Sequence, residues 1–176
     1  VCKGDQKHLP HAYVGYIEEA LNVLMELPRT FISVVNILDV SLLNEYATGL
    51  CPFLHIIECD CTTGRYGERQ WVSEQAHHYQ QLVHELVSAF PDRQDFSVIV
   101  QPFLEHFEVP QDEDGPIREF LAPDCFHFTS LAHSAAAVSL WNNLIEPVES
   151  KDTTWKIGEQ IKCPTNETRI KTKNNN

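Results

Sequence analysis

The chain has 176 residues, 43% of them hydrophobic, which suits one hydrophobic core of ordinary size. Its 13 Lys and Arg stand against 25 Asp and Glu, and the formal net charge of -12 opposes binding to nucleic acids and to anionic lipid surfaces. No stretch reaches the roughly 18 consecutive apolar residues of a spanning helix. The composition therefore predicts a single globular domain without a nucleic-acid partner or a membrane span.

The six cysteines indicate an oxidising compartment, because an even and high cysteine count is typical of disulfide-bonded proteins outside the cytosol. Asn166-Glu167-Thr168 is an acceptor triplet for N-glycosylation. The chain opens with Val1-Cys2-Lys3, which is neither an initiator methionine nor a signal peptide. We expect a piece of a longer protein that is secreted or lumenal.

The first half of the chain predicts a helix, a strand and an irregular segment. Apolar residues recur with helical spacing over 12–27 until Pro28 ends the run. Residues 31–38 are β-branched and apolar, as in a central strand covered on both faces. The segment 39–63 has no regular pattern, and we expect it to be stapled by at least one disulfide within a set of three cysteines: Cys51, Cys59 and Cys61.

The second half predicts a long helix over 68–90, a buried strand over 95–100 and a last helix over 130–146 that lies against the sheet. Alternating helices and strands with long crossovers favour an α/β fold with parallel strands. Because two strands make a poor sheet, the missing strands would lie upstream of Val1. We assign residues 1–148 to the C-terminal part of a domain and 149–176 to a polar tail or linker pinned at Cys163.

The candidate chemistry lies between the second strand and the last helix, where Asp124 precedes His127 by three positions. A carboxylate at this spacing can accept the Nδ1 proton of the imidazole within one loop and leave Nε2 as a general base for a hydroxyl nucleophile. We expect the two side chains within hydrogen-bond reach, at the open end of the sheet. In the alternative, Asp124 only caps the helix and His127 packs at its edge.

The context of this pair resembles the C-terminal block of the GDSL, or SGNH, lipases and esterases, and more narrowly one repeat of the membrane-associated phospholipases B of animals. The matching stretches read Ala-Pro-Asp-Cys-Phe-His-Phe-Thr at 122–129, Leu-Trp-Asn-Asn at 140–143 and Glu-Pro-Val at 146–148. The resemblance covers residues 2 to about 163. It implies a three-layer α/β/α, flavodoxin-like fold with a parallel sheet, in which Asp124 orients His127 and His127 serves as general base and then general acid.

The resemblance also implies parts that the sequence does not contain. The family's serine stands in a Gly-Asp-Ser motif and its oxyanion-binding Asn in a Gly-x-Asn-Asp motif, and neither motif occurs here. We therefore expect the chain to be inactive alone, as part of an extracellular or apical hydrolase with phospholipase A and lysophospholipase activity. Such an enzyme would act at a membrane or micelle surface without cofactor or metal. The alternative is a non-catalytic repeat that serves as a spacer or docking domain in a multi-repeat ectodomain.

Three further features of the sequence have both a chemical and a simpler structural explanation. His77, His78 and His84 could approach a metal, but a solvated helix face explains them. Cys125 could be a nucleophile, but a buried small residue or a disulfide partner is the simpler interpretation, because no separate base activates it. Four aromatic residues could line an acyl-chain pocket or simply belong to the core: Phe103, Phe107, Phe126 and Phe128.

Overall fold

The computed structural model of the chain describes residues 6–46, 49–58, 69–113, 115–116 and 118–175. Its helices are α1 (Pro10–Leu24), α2 (Cys51–Glu58), α3 (Arg69–Ala89) and α4 (Ser130–Ile145). Its strands are β1 (Thr30–Val35), β2 (Phe96–Gln101), β3 (Gln111–Asp112) and β4 (Gly115–Pro116). Short 3-10 turns lie at Gln6–His8, Val40–Tyr46, Arg118–Phe120 and Val148–Ser150.

The central sheet is a parallel pair in which Thr30 of β1 lies opposite Phe96 of β2 and Val35 lies opposite Gln101. This confirms the prediction of parallel strands in a mixed α/β fold. β1 ends at Val35, three residues earlier than predicted, and the buried side chain of Asn36 follows it. Its side-chain amide donates to the Gln80 carbonyl oxygen at 3.1 Å and to Glu105 Oε1 at 2.8 Å.

The prediction that both faces of the first strand are covered was wrong. All six residues of β2 are buried, whereas Ser33 of β1 is exposed and Val35 is 40% exposed. Ile32 and Val34 pack on the core, and the alternation of side chains along a strand sends their neighbours to the other face. Within the described residues no strand pairs with the outer edge of β1.

The first hydrophobic core lies between the sheet and the helices α1 and α3. The spacing of the apolar residues of α3 predicts which face is buried, and the structure confirms it for Val72, Ala76, Tyr79, Val83 and Phe90, whereas Leu86 is only partly buried. The buried members of this core come from both helices, β2 and the turn after α3: Leu21, Val83, Val87, Phe90, Phe96, Val98 and Val100.

A second, aromatic core forms beyond the end of β2 and supports α4. Phe107, Phe120, Phe128 and Trp155 pack with ring centroids 4.9 to 6.3 Å apart. Ala132 of α4 is fully buried against this cluster. The aromatic core therefore joins the loop after β2, the segment before α4 and the segment after it.

The C-terminal segment lies along the helices that precede it. Trp155 of this segment is buried in the aromatic core. The backbone N–H of Lys171 donates to the Leu144 carbonyl oxygen of α4 at 2.8 Å. The Lys173 ammonium donates to the carbonyl oxygens of Val87 and Phe90, so it caps the C-terminal end of α3. Cys163 is an exposed free thiol, so the prediction that it pins the tail was wrong. The domain division at residue 148 stays a prediction.

The segment 39–63 contains structure that the sequence pattern did not predict. It holds the 3-10 turn Val40–Tyr46 and the short helix α2, which begins at Cys51. Cys59 and Cys61 lie outside the described residues, as does Cys2. None of the described helices combines the length and the apolar character that crossing a bilayer requires.

The burial of Trp155 predicts that the C-terminal segment contributes to stability. Trp155→Ala should lower the free energy of unfolding by about 3–5 kcal/mol, because it opens a cavity in a packed aromatic core. Phe53→Ala is the matched control, since Phe53 is 64% exposed and its truncation should cost less than about 1 kcal/mol. Chemical denaturation followed by fluorescence measures both, and equal effects of the two substitutions would contradict the packing.

Candidate active site

The residues around His127 form a tight hairpin-like loop before α4. Leu121 and Phe128 face each other in an antiparallel bridge. The backbone N–H of Ala122 donates to the His127 carbonyl oxygen, and that of Cys125 donates to the Ala122 carbonyl oxygen, each at 2.8 Å. Cys125 at the tip has a φ of 63°, in the left-handed region that residues other than glycine seldom adopt. This turn brings Asp124 and His127 to the same side of the loop.

The Asp124 carboxylate accepts three hydrogen bonds from its own loop. Oδ2 lies 2.7 Å from His127 Nδ1, and Oδ1 accepts the backbone N–H groups of Phe126 and His127 at 3.0 Å each. An ionised carboxylate only accepts, so Nδ1 of His127 carries a proton and Nε2 is left as the other reactive position. The predicted contact between these two side chains in one loop is confirmed, while their catalytic role stays a prediction.

The imidazole of His127 is open to incoming groups, because its side chain is 73% exposed. The side chain of Asp124 is 38% exposed, so the carboxylate is more covered than the ring that it contacts. The ring of Phe126 meets the imidazole edge to face at 5.1 Å. A proton-accepting nitrogen held by a carboxylate and directed to an accessible surface is the arrangement that general-base catalysis requires.

The hydrogen bond from His127 and the two backbone hydrogen bonds lower the pKa of Asp124 from 3.8 to about 2. Because the pKa is lower in the folded chain than in the unfolded chain, the ionised carboxylate stabilises the fold at pH values above about 4. This stabilisation is lost as the pH falls through 2. Asp124 therefore stays ionised throughout the neutral pH range.

The loop is also attached to α2, which the sequence pattern did not reveal. Cys51 at the start of α2 forms a disulfide with Cys125, 74 residues further on. His55, one turn along the same helix, lies 2.9 Å from the Cys125 carbonyl oxygen through Nε2. The predicted bridge within the set of Cys51, Cys59 and Cys61 therefore does not involve Cys51, and whether Cys59 and Cys61 pair lies outside the described residues. Cys125 is a buried disulfide partner, as the simpler interpretation predicts.

The aromatic residues near the loop belong mainly to the second core. Phe103 and Phe107 are buried members of this core, and Phe128 packs against Phe107 and Trp155. Phe126 is half-buried beside His127. Phe103, Phe107 and Phe128 therefore belong to the core, as the simpler explanation predicts. Phe126 is the one of the four that lies beside the imidazole of His127.

The histidines of α3 serve other contacts. His84 Nε2 donates to Glu105 Oε1 at 2.6 Å, and this hydrogen bond raises the pKa of His84 against the opposing effect of partial burial. His78 meets the ring of His11 edge to face at 5.5 Å, and His77 is exposed. Across the ranges that the structure covers, no three histidine, cysteine or carboxylate side chains converge as metal ligands would.

The electrostatics of the loop lead to a prediction about titration. His127→Ala should raise the pKa of Asp124 from about 2 toward 3.8, because the largest cause of the depression is the hydrogen bond from the imidazole. The backbone hydrogen bonds remain and should keep the pKa below 3.8. NMR titration of the Asp124 carboxyl carbon measures the midpoint, with His133→Ala as the control. An unchanged midpoint in His127→Ala would mean that the two side chains do not interact in solution.

Comparison with known proteins places this site within a segment of larger proteins. The chain is 34% identical over 181 residues to membrane-associated phospholipase B1 of Homo sapiens, which covers 93% of this chain and 12% of that protein. It is 30% identical over 177 residues to the protein of the same name in Mus musculus, with the same coverage. The protein of that name in Rattus norvegicus is 32% identical over 177 residues, 94% of this chain and 12% of its own length.

The chain is thus homologous to part of these phospholipases B1 and spans 12% of the length of each. No protein-family model matches the sequence. No solved structure matches it either.

Proposed function

We propose that the chain is the C-terminal part of a GDSL, or SGNH, serine hydrolase domain that cleaves the ester bonds of phospholipids and lysophospholipids. Asp124 and His127 would be its orienting carboxylate and its general base. The observation that carries the proposal is the 2.7 Å contact between Asp124 Oδ2 and His127 Nδ1, which leaves Nε2 free on an exposed ring. Homology to membrane-associated phospholipase B1 supports the choice of substrate class.

The proposed reaction uses a serine of the complete domain and proceeds in two stages. His127 Nε2 removes the proton of the serine hydroxyl as its oxygen attacks the ester carbonyl carbon, and the imidazolium then protonates the departing alcohol oxygen. The alcohol is the lysophospholipid or the glycerophospho group, and the acyl group stays on the serine. In the second stage His127 deprotonates a water molecule, which releases the fatty acid and restores the serine. Asp124 stabilises the imidazolium in both stages and fixes the tautomer.

The sequence supplies half of this machinery. It contains no Gly-Asp-Ser, Gly-x-Asn-Asp or Gly-x-Ser-x-Gly motif. Without a nucleophile there is no covalent step, and each missing oxyanion donor costs about 10²- to 10³-fold in rate. We propose that the chain alone is inactive and that its serine belongs to another part of the longer protein, in a three-layer α/β/α domain whose sheet extends β1 and β2.

The proposed location is the extracellular or apical cell surface. The Cys51–Cys125 disulfide supports an oxidising compartment, and Asn166 of the glycosylation triplet is exposed, as a modified residue must be. In the proposed domain, residues 1–148 belong to the hydrolase and 149–176 to a tail that leads to the next part of the protein. The substrate would be met at a membrane or micelle surface.

The second candidate is a repeat that has lost its chemistry and serves as a spacer or docking domain. The Asp124–His127 contact favours the enzyme, because a spacer has no use for an exposed imidazole held by a carboxylate. The complete sequence of the longer protein discriminates between the two: a Gly-Asp-Ser motif in the same domain supports the hydrolase, and a domain without one supports the spacer.

Substitutions in the longer protein test the proposal. His127→Ala should lower ester hydrolysis by about 10³-fold or more with folding and secretion intact, because triad members act as a unit. Asp124→Asn should also be severely impaired, since the amide cannot stabilise the imidazolium. His133→Ala is the control on the following helix and should change turnover little. The measurement is fatty-acid release from phosphatidylcholine and lysophosphatidylcholine, and near-normal hydrolysis by His127→Ala would exclude the assignment.

A further inference from the structure

Resting on the proposed function, we propose that His55 is a positioning residue for the hydrolysis. It would act on His127 through the peptide group between Cys125 and Phe126 and through the Asp124 carboxylate. The residue belongs to α2, outside the resemblance motif around Asp124. Its contact with the loop sets the orientation of one peptide plane, and that plane sets the orientation of the carboxylate.

α2 approaches the loop with one face. Cys51 and His55 are four residues apart, so their side chains project from the same side of the helix. Cys51 is bonded to Cys125 through the disulfide, and His55 donates its Nε2 hydrogen to the carbonyl oxygen of the same residue at 2.9 Å. The ring of His55 is 1% exposed, so water cannot take over this hydrogen bond.

One peptide group connects His55 to Asp124. The carbonyl oxygen of Cys125 accepts from His55, and the N–H of the same peptide, which belongs to Phe126, donates to Asp124 Oδ1 at 3.0 Å. Because a trans peptide is planar, its C=O and N–H point in opposite directions and rotate together. If the carbonyl oxygen turns away from His55, the N–H of Phe126 turns away from the carboxylate that holds His127.

The conformation at Cys125 makes this support necessary. A φ of 63° lies in the left-handed region that is unfavourable for a residue with a Cβ, so the backbone will leave this conformation unless other contacts hold it. The disulfide fixes the side chain of Cys125, but it leaves the adjoining peptide plane free to rotate. The hydrogen bond from His55 constrains that plane directly.

The chemistry of His55 itself also favours a positioning role over simple packing. Nδ1 of the buried ring has no hydrogen-bond partner among the described residues. A buried polar atom without a partner lowers the stability of the fold, and a leucine at this position would fill a similar space without that atom. The histidine supplies what a leucine lacks, an N–H group that donates to the Cys125 carbonyl oxygen.

Three variants of the longer protein test the proposal. His55→Leu removes the donor and keeps most of the volume. His55→Gln keeps a donor near the position of Nε2. His11→Leu makes the same chemical change at an exposed position on α1 and is the matched control. Each variant is purified, and kcat and KM are measured with phosphatidylcholine in mixed micelles, beside the Asp124 carboxyl titration by NMR.

His55→Leu should lower kcat by about 10-fold, while KM stays within about 2-fold, because misplacing a catalytic group affects the chemical step more than substrate binding. His55→Gln should recover most of the lost kcat, and His11→Leu should match the wild type. The pKa of Asp124 should rise in His55→Leu as the hydrogen bond from Phe126 weakens. A packing role would instead reduce activity in both His55 variants without recovery by Gln.

The outcomes separate this proposal from the proposed function. Wild-type kcat in His55→Leu together with an inactive His127→Ala would overturn the positioning role and leave the hydrolase assignment standing. An active His127→Ala would overturn the hydrolase assignment and with it any positioning for hydrolysis. In that case the pKa of Asp124 in His55→Leu still shows whether loss of the His55 hydrogen bond weakens the hydrogen bond from Phe126 to the carboxylate.

Discussion

The left-handed turn at Cys125 is the constraint on which the candidate site depends. This conformation directs the N–H groups of Phe126 and His127 at Asp124 Oδ1 and brings His127 Nδ1 to Oδ2. A carboxylate that accepts three hydrogen bonds from one short loop has little freedom to move, and its pKa falls to about 2. The imidazole is then fixed by an anion that is ionised at every physiological pH.

Two separate parts of the fold hold this turn in place. On one side Phe128 inserts its ring into the aromatic core of Phe107, Phe120 and Trp155. On the other side α2 is attached to the tip through the Cys51–Cys125 disulfide and the hydrogen bond from His55. The loop therefore presents the exposed imidazole of His127 while its tip at Cys125 and its end at Phe128 are both held by contacts with buried residues.

The sequence predicted the elements whose signals are local. The helices α1, α3 and α4 follow from hydrophobic periodicity and both central strands from short runs of β-branched and apolar residues. The Asp124–His127 contact follows from a spacing of three residues within one loop. The helix α2 was missed because its apolar residues Phe53, Ile56 and Ile57 are open to solvent while the polar His55 is buried, the reverse of the pattern that marks a helix packed on a core. Periodicity alone does not identify a helix of only eight residues of this kind.

The remaining differences arise from contacts between distant parts of the chain. The Cys51–Cys125 bond joins residues 74 apart, and six cysteines allow 15 connectivities that spacing does not distinguish. His55 belongs to no motif, and its hydrogen bond to the Cys125 carbonyl oxygen joins residues 70 apart in the chain. The exposure of Val35 depends on what lies beside β1 in three dimensions, which the apolar character of the strand does not encode.

The central claim is that His127 activates a serine of the longer protein, and covalent labelling with a fluorophosphonate tests it most directly. The reagent traps an activated serine, and peptide mass mapping identifies the residue that carries the label. The account predicts rapid labelling of a serine outside these 176 residues, slowed by about 10³-fold in His127→Ala. Labelling at the same rate with and without the imidazole, or of a serine within this chain, would contradict it.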